Sequence, residues 1–375
     1  MIVATPPPPP VIAQPAAYQV SYGMVRGTAA RGATRVIVKV DGFVRADVAL
    51  RGRSFTIDLD LPPGQRTIRI ETADGDGRRA ATTIPHVTGL PRAARPRDLP
   101  ARLDSGMQRE LERLVRRFGP TAGVYVQSLT TGAGAAWNAR ATFPGASTLK
   151  LAIAVTALSR LDGPPAHGSR LDGLFREMLI VSDNEAANRI EEIYGGSTSG
   201  GSRLVNDVMR SIGLERTEMW GGYLIEQSLE PGRDLAGGAI PLRVDDQADW
   251  GTGKTTTPYD LARIARAVWL ASGGLGPLRE AQRGFTPMEA RYLLALLAEV
   301  RDPGKLEREI GRIQGVRVLH KAGWLEHARH DNGLVFWHGG VFVATVMTYR
   351  PHGADASSDV LAGEVAAAML RRVRG

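Results

Sequence analysis

The sequence predicts two folded parts, a small all-β sandwich followed by an α+β domain in which an opening hairpin joins the closing strands. Three observations predict it. Short alternating segments broken by turn residues fill residues 18–88. Residues 89–103 lack periodicity, and Leu90 to Arg102 holds three prolines and four arginines, as a linker would. From residue 104 to 375, strand patterns stand at both ends with helical patterns between them.

Taken in order, residues 1–17 are rich in Pro and Ala, favour extended polyproline geometry and read as a tail. The segments Thr34–Val40, Ser54–Leu61 and Thr67–Glu71 alternate apolar and polar residues. Asp41-Gly42, Pro62-Pro63-Gly64 and Asp74-Gly75-Asp76-Gly77 separate them. That spacing suits an Ig-like β-sandwich of about seven strands, 18–88, without a cluster of acid, base and nucleophile. A helix is expected from Met107 to Arg117, ending before Gly119-Pro120, then strands at Gly123–Leu129 and Ala135–Trp137. Helices follow at the Ser147 stretch, at Leu171–Ile180, beyond Asn184, at 258–272 and at 287–300. Thr257-Pro258 makes a strong helix start. The end reads as strands near Val316–Lys321, Gly333–Trp337 and Val341–Met347, then a helix over 359–373.

Composition narrows the function. With 375 residues and 43% apolar content the chain can bury a sizeable core. The net charge of +8 is carried by scattered arginines. It suits a solvated surface or attraction to acidic envelope polymers, and no nucleic-acid motif accompanies it. There is no Cys for zinc or disulfides. The start lacks the basic flank and continuous apolar core of a secretory signal, and no stretch reaches the length of a membrane span, so the literal expectation is a soluble chain. Gly251-Thr252-Gly253-Lys254-Thr255 fails as a phosphate loop because position 248 is Ala. His320, His327, His330 and His338 are read as surface or core histidines, since strand placement scatters them over both faces. No cofactor or metal is called for.

The chemistry centres on Phe143-Pro144-Gly145-Ala146-Ser147-Thr148-Leu149-Lys150, which enters the apolar Leu151–Val155. A Ser at a helix mouth with a Lys three residues on puts hydroxyl and amine on one face. The chain has five lysines (Lys39, Lys150, Lys254, Lys305 and Lys321) among 47 basic residues. Arginine cannot release its proton, whereas a desolvated lysine can act as a base. On these residues alone, a helix N-cap Ser with a solvated Lys one turn later stays open as the other reading.

Ser147-Thr148-Leu149-Lys150, Ser182-Asp183-Asn184 and Lys321-Ala322-Gly323 stand in this order, and together they resemble the Ser-x-x-Lys, Ser-Asp-Asn and Lys-Thr-Gly set of class A β-lactamases and penicillin-binding proteins. The resemblance covers residues 104–375 and implies a β-lactamase-like fold, an antiparallel sheet flanked by helices with a helical subdomain. It implies an acyl-enzyme on Ser147, with Lys150 as base and Ser182 as proton relay to the leaving nitrogen. It gives Asn184 and Lys321 to substrate binding, and places the oxyanion between the backbone N–H groups of Ser147 and of Trp324, the residue after Gly323. The implied substrate is a β-lactam or a peptidoglycan peptide, and the implied site of action is extracytoplasmic.

Two departures stand out. Ala322 replaces the Thr or Ser that would bind a substrate carboxylate. The deacylating Glu of class A enzymes has no matching Glu-x-x-Leu-Asn pattern in the stretch 218–226, leaving Glu218, Glu226 and Glu230 as candidates, with Glu226 preferred for its place in the loop. A class A-type serine hydrolase is therefore expected. The alternatives are a penicillin-binding D,D-peptidase and a non-catalytic envelope-binding protein of the same fold.

Overall fold

The computed structural model describes residues 7–224, 239–251 and 253–375. Contacts divide the chain into one unit ending at Arg95 and another running Pro96–Gly375. The first unit holds β1 (Val11–Gln14), β2 (Val20–Ser21), β3 (Met24–Thr28), β4 (Ala33–Val40), β5 (Phe43–Ala49), β6 (Ser54–Asp58), β7 (Gly64–Asp74) and β8 (Arg79–Gly89). They make a three-stranded sheet, β1-β3-β6, and a five-stranded sheet, β2-β8-β7-β4-β5. Alternation turns Val36, Val38, Val40, Ile68 and Ile70 of the larger sheet inward. They share one buried cluster with Val25, Phe55 and Ile57 of the smaller sheet. Asp41 and Gly42 both take positive φ, 51° and 86°, as the tight turn between β4 and β5 demands of an Asp-Gly pair.

One expectation needs correction. Val11–Gln14, assigned to the Pro-rich tail, is a strand that pairs antiparallel with β3. The proline run ends at Pro10, so the residues after it again carry the N–H groups a ladder needs.

The second unit contains β9 (Arg102–Leu103), α1 (Ser105–Phe118), β10 (Thr121–Ser128), β11 (Ala133–Trp137), β12 (Phe143–Pro144), α2 (Lys150–Leu158), α3 (Arg170–Leu179), α4 (Asn184–Gly195) and α5 (Thr198–Ser211). It continues with β13 (Thr255–Thr256), α6 (Pro258–Ser272), α7 (Pro277–Ala281), α8 (Pro287–Leu297), β14 (Arg317–Leu325), β15 (Ala328–Trp337), β16 (Gly340–Tyr349) and α9 (Ala356–Arg374). Its main sheet runs β14-β15-β16-β10-β11-β9, so the opening hairpin does join the closing strands, through β10 and β16.

Helices cover both faces of this sheet. Met107 and Leu111 of α1 and Leu361 and Val365 of α9 share a buried cluster with Val124, Val126, Phe342 and Ala344. Between those two valines, Tyr125 points the other way and meets Tyr259 of α6 edge-on at 5.4 Å. Asp104 caps α1 by accepting the N–H groups of Gly106 and Met107, and it pairs with Arg372 of α9 at 2.8 Å, tying the ends of the unit together. All nine residues of α2 are buried, as an all-round apolar helix must be. Around it α3, α4 and α5 form the helical subdomain. Among the described residues no helix is long and apolar enough to cross a membrane.

A buried ion pair links β14 to β15. His320 Nδ1 is 2.8 Å from Asp331 Oδ2, and both side chains are sealed from solvent. Asp331 also accepts the Leu306 N–H at 3.1 Å. The paired charges hold the His320 pKa above its ordinary value and the Asp331 pKa below, against the burial that opposes each. Removing one partner of such a pair costs about 3–5 kcal/mol, because the other is left charged in a dry site. Asp331→Ala is therefore expected to lower the unfolding free energy by about that amount in a denaturant titration, and a loss below about 1 kcal/mol would show that the pair behaves like a surface one.

Candidate active site

Ser147 sits in a 3-10 turn, Ala146–Leu149, and α2 begins only at Lys150. Four bonds fix this turn. Gly145 N–H donates to the Lys254 carbonyl at 2.6 Å and Thr148 Oγ1 donates to the Gly145 carbonyl at 2.5 Å. His330 Nε2 donates to the Pro144 carbonyl at 2.8 Å. The Tyr223 hydroxyl donates to the Ala146 carbonyl at 3.0 Å. His330 accepts the Thr348 N–H on Nδ1, so its ring is a neutral tautomer, and burial lowers its pKa to about 4. Ala146 takes φ 46°, a left-handed conformation that a side chain adopts only at some cost, which these bonds offset.

The Lys150 amine is buried at the start of α2. It donates to the Ser182 carbonyl at 2.5 Å and to Asn184 Oδ1 at 2.7 Å, and lies 3.4 Å from Ser182 Oγ. Its fourth neighbour is the Tyr223 ring, 4.6 Å away at the centroid. Burial lowers the Lys150 pKa to about 8, with Asp183 opposing. Among the described residues the Ser147 hydroxyl makes no hydrogen bond, so the amine and hydroxyl are neighbours through the turn without being bonded.

Ser182 is presented by strain. It sits between α3 and the Asp183 cap of α4 at φ 63°, which turns its carbonyl toward Lys150. Its hydroxyl accepts from Lys321 Nζ at 2.9 Å. A hydroxyl has two lone pairs and one proton, so Ser182 can face both amines and still donate. Lys321 is buried in β14, and burial together with the nearby Lys150 lowers its pKa to about 7.

Gly323 explains how β14 reaches the Ser147 turn. A Cβ there would stand 2.8 Å from the Ser147 backbone nitrogen and 2.9 Å from that of Thr148. Only glycine lets this edge strand lie so close, and the contact brings Trp324 beside Ser147. Trp324 is 71% exposed and lines a cleft of about 400 Å³ with Ser147, Asn184, Tyr223, Trp250 and Lys254. Ala322 is buried and offers no hydroxyl.

Of the deacylation candidates, Glu218 is placed by a backbone bridge to Thr255, and its carboxyl does not line the cleft. Glu226 and Glu230 lie outside the described residues. The sequence reading missed Tyr223 and Asn188. Asn188 accepts the Tyr223 N–H at 2.6 Å and donates to its carbonyl at 3.0 Å, pinning the Tyr223 loop to α4. Two signals were available. Asn188 lies one turn beyond Asn184 on α4, and Gly221-Gly222 before Tyr223 announces a close backbone approach, since a Cβ on Gly222 would meet Asn188 at 2.8 Å.

The sequence model of the Beta-lactamase enzyme family matches residues 106–164 and 162–373. No curated protein matches. A PBP-A variant solved as its acyl-enzyme complex with penicillin G has a TM-score of 0.56 at 22% identity, covering 74% of this chain and 99% of that one. An ancestral (GNCA) class A β-lactamase gives 0.54 at 21%, covering 71% and 99%. The β-lactamase from Sphaerobacter thermophilus gives 0.53 at 20%, covering 72% and 97%. At such identities the structural likeness speaks for the fold, and the family model carries the assignment: over residues 106–373 this chain belongs to the Beta-lactamase enzyme family.

Proposed function

We propose that the chain is a serine hydrolase that opens β-lactam or related amide bonds through an acyl-enzyme on Ser147. The observation that carries this reading is the desolvated Lys150 amine, held by Ser182 and Asn184 with no carboxylate bonded to it among the described residues. An ammonium so placed gives up its proton far more readily than an exposed lysine does.

In this reading the Ser147 oxygen attacks the carbonyl carbon while neutral Lys150 takes its proton. The oxyanion forms against the N–H groups of Ser147 and Trp324. As the C–N bond breaks, the Ser182 hydroxyl passes its proton to the leaving nitrogen and Lys150 or Lys321 replaces it. Asn184 Oδ1 is occupied by Lys150, which leaves its amide N–H groups to hold the acyl side chain. Lys321 adds positive potential for a substrate carboxylate, in a site where Ala322 cannot bind one. Such substrates place the site of action outside the cytoplasm. A second reading is a penicillin-binding D,D-peptidase that forms the same acyl-enzyme on cell-wall peptides; it is supported by the fact that no carboxylate among the described residues stands where it could activate a deacylating water beside Ser147.

Incubation with penicillin G should add one penicilloyl mass to the intact protein, and Ser147→Ala should abolish it. An unmodified wild-type protein would contradict the proposal, and rapid nitrocefin turnover would favour the β-lactamase reading over the peptidase. Gly323→Ala should slow adduct formation about 100-fold, the scale of a 1 Å misplacement of reacting groups. Acylation at the wild-type rate would show that the close approach of β14 is not needed.

A further inference from the structure

The positive charge of the chain is unevenly divided. Residues 1–95 carry 12 arginines and one lysine against seven Asp and Glu, a net +6 of the chain's +8. Strand register then sorts that charge within the first unit. β3 ends at Thr28 opposite Ser54, β4 begins at Ala33 opposite Asp74, and Arg35 stands opposite Ala49 at the end of β5. The loops 29–32, 50–53 and 75–78 therefore open at one end of the unit. Gly89, where β8 finishes, pairs with Gly64 at the other end.

Two of these loops are tied together. The Ala29 N–H donates to the Arg53 carbonyl at 2.8 Å, and Arg53 Nε donates to the Ala29 carbonyl at 3.1 Å. Arg31, Arg51 and Arg53 are exposed on this loop pair, beside Gly32 and Gly52, where an added Cβ would meet nothing within 4 Å. Their charge is not cancelled within the unit. Six of its seven acids pair with other cations: Asp47 with Arg35, Glu71 with Lys39, Asp41 with Arg66, Asp74 and Asp76 with Arg78, and Asp58 with Arg95. The seventh, Asp60, follows β6 at the far end.

A guanidinium offers two parallel N–H donors to the oxygens of one phosphate, so three of them on clamped loops suit a ligand with repeated phosphates. The exposed residues of the three loops are arginine, glycine and Asp76. They include no apolar side chain to enter a bilayer and no ring on which a base could stack. We infer that this end of the first unit docks on a phosphodiester polymer that lacks bases and acyl chains, of the poly(glycerol phosphate) kind, through Arg31, Arg51 and Arg53. The site is separate from Ser147 and does not depend on the chemistry proposed there.

The test is a salt titration of binding between the full chain and poly(glycerol phosphate). The variant R31Q/R51Q/R53Q should bind about tenfold more weakly than wild type at the same salt. Its slope of log affinity against log salt should be shallower by about 2, at roughly 0.7 per phosphate contact. The variant R109Q/R203Q/R312Q removes equal charge from exposed positions of the second unit and should bind nearly as wild type does. Should the loop variant not fold, Arg51→Gln alone should still flatten the slope by roughly 0.7. No binding by wild type, an unchanged slope in the loop variants, or an equal loss in the second-unit variant overturns the inference. Phosphatidylglycerol vesicles at matched phosphate should bind more weakly than the polymer, and equal or tighter binding to them overturns the choice of a polymer over a membrane.

Discussion

The burial of one ammonium group organises the second unit. Taking Lys150 out of water is costly unless its three N–H donors are met. The acceptors come from outside α2, the Ser182 carbonyl and Asn184 from the start of the helical subdomain, and an aromatic face from the Tyr223 loop. No carboxylate among the described residues bonds it, so the charge is tolerated without being locked in. A salt bridge would stabilise the ammonium more and make it a poorer base. The arrangement gives up stability for a proton that can leave.

The strain in the site follows from that placement. Ser182 and Ala146 both take positive φ, each at a cost of about 1–3 kcal/mol for a residue other than glycine. Ser182 thereby shows Lys150 its carbonyl and Lys321 its hydroxyl. Ala146 shows its carbonyl to Tyr223. Gly323 then lets an edge strand close on the turn from the far side. Each of these features is a local conformational price at the point where two elements converge on Ser147.

Much of this was legible in the residues. The strand and helix patterns gave the α+β order because apolar periodicity reports which face an element buries; that holds for α1, α2, α3, α4, α6, α8 and α9, whereas α5 and α7 were not expected. The three motifs marked the site because Lys150 and Lys321 stand out in a chain that otherwise uses arginine. The remainder was hidden for physical reasons. Val11–Gln14 looked like tail because proline composition masked four residues that pair only with a distant strand. Ser147 reads as the first turn of an α-helix, whereas the turn is 3-10, and its backbone is tied to Lys254, His330 and Tyr223 by bonds that no local pattern encodes. Tyr223 belongs to no motif that would mark it as part of the site. Its role depends on packing against a lysine 73 positions earlier, which no local pattern encodes.

Everything in the proposed chemistry depends on Lys150 carrying a proton it can release near neutral pH. Five lysines make the measurement tractable, since labelled lysine gives few resonances and Lys150→Arg identifies the one from Lys150. A titration of that resonance by NMR should give a midpoint near 8, where burial places it. The acylation rate should then rise through the same pH range as the neutral amine accumulates. A midpoint near 10.5, the ordinary lysine value, would contradict the account, because a fully charged Lys150 could not take the Ser147 proton.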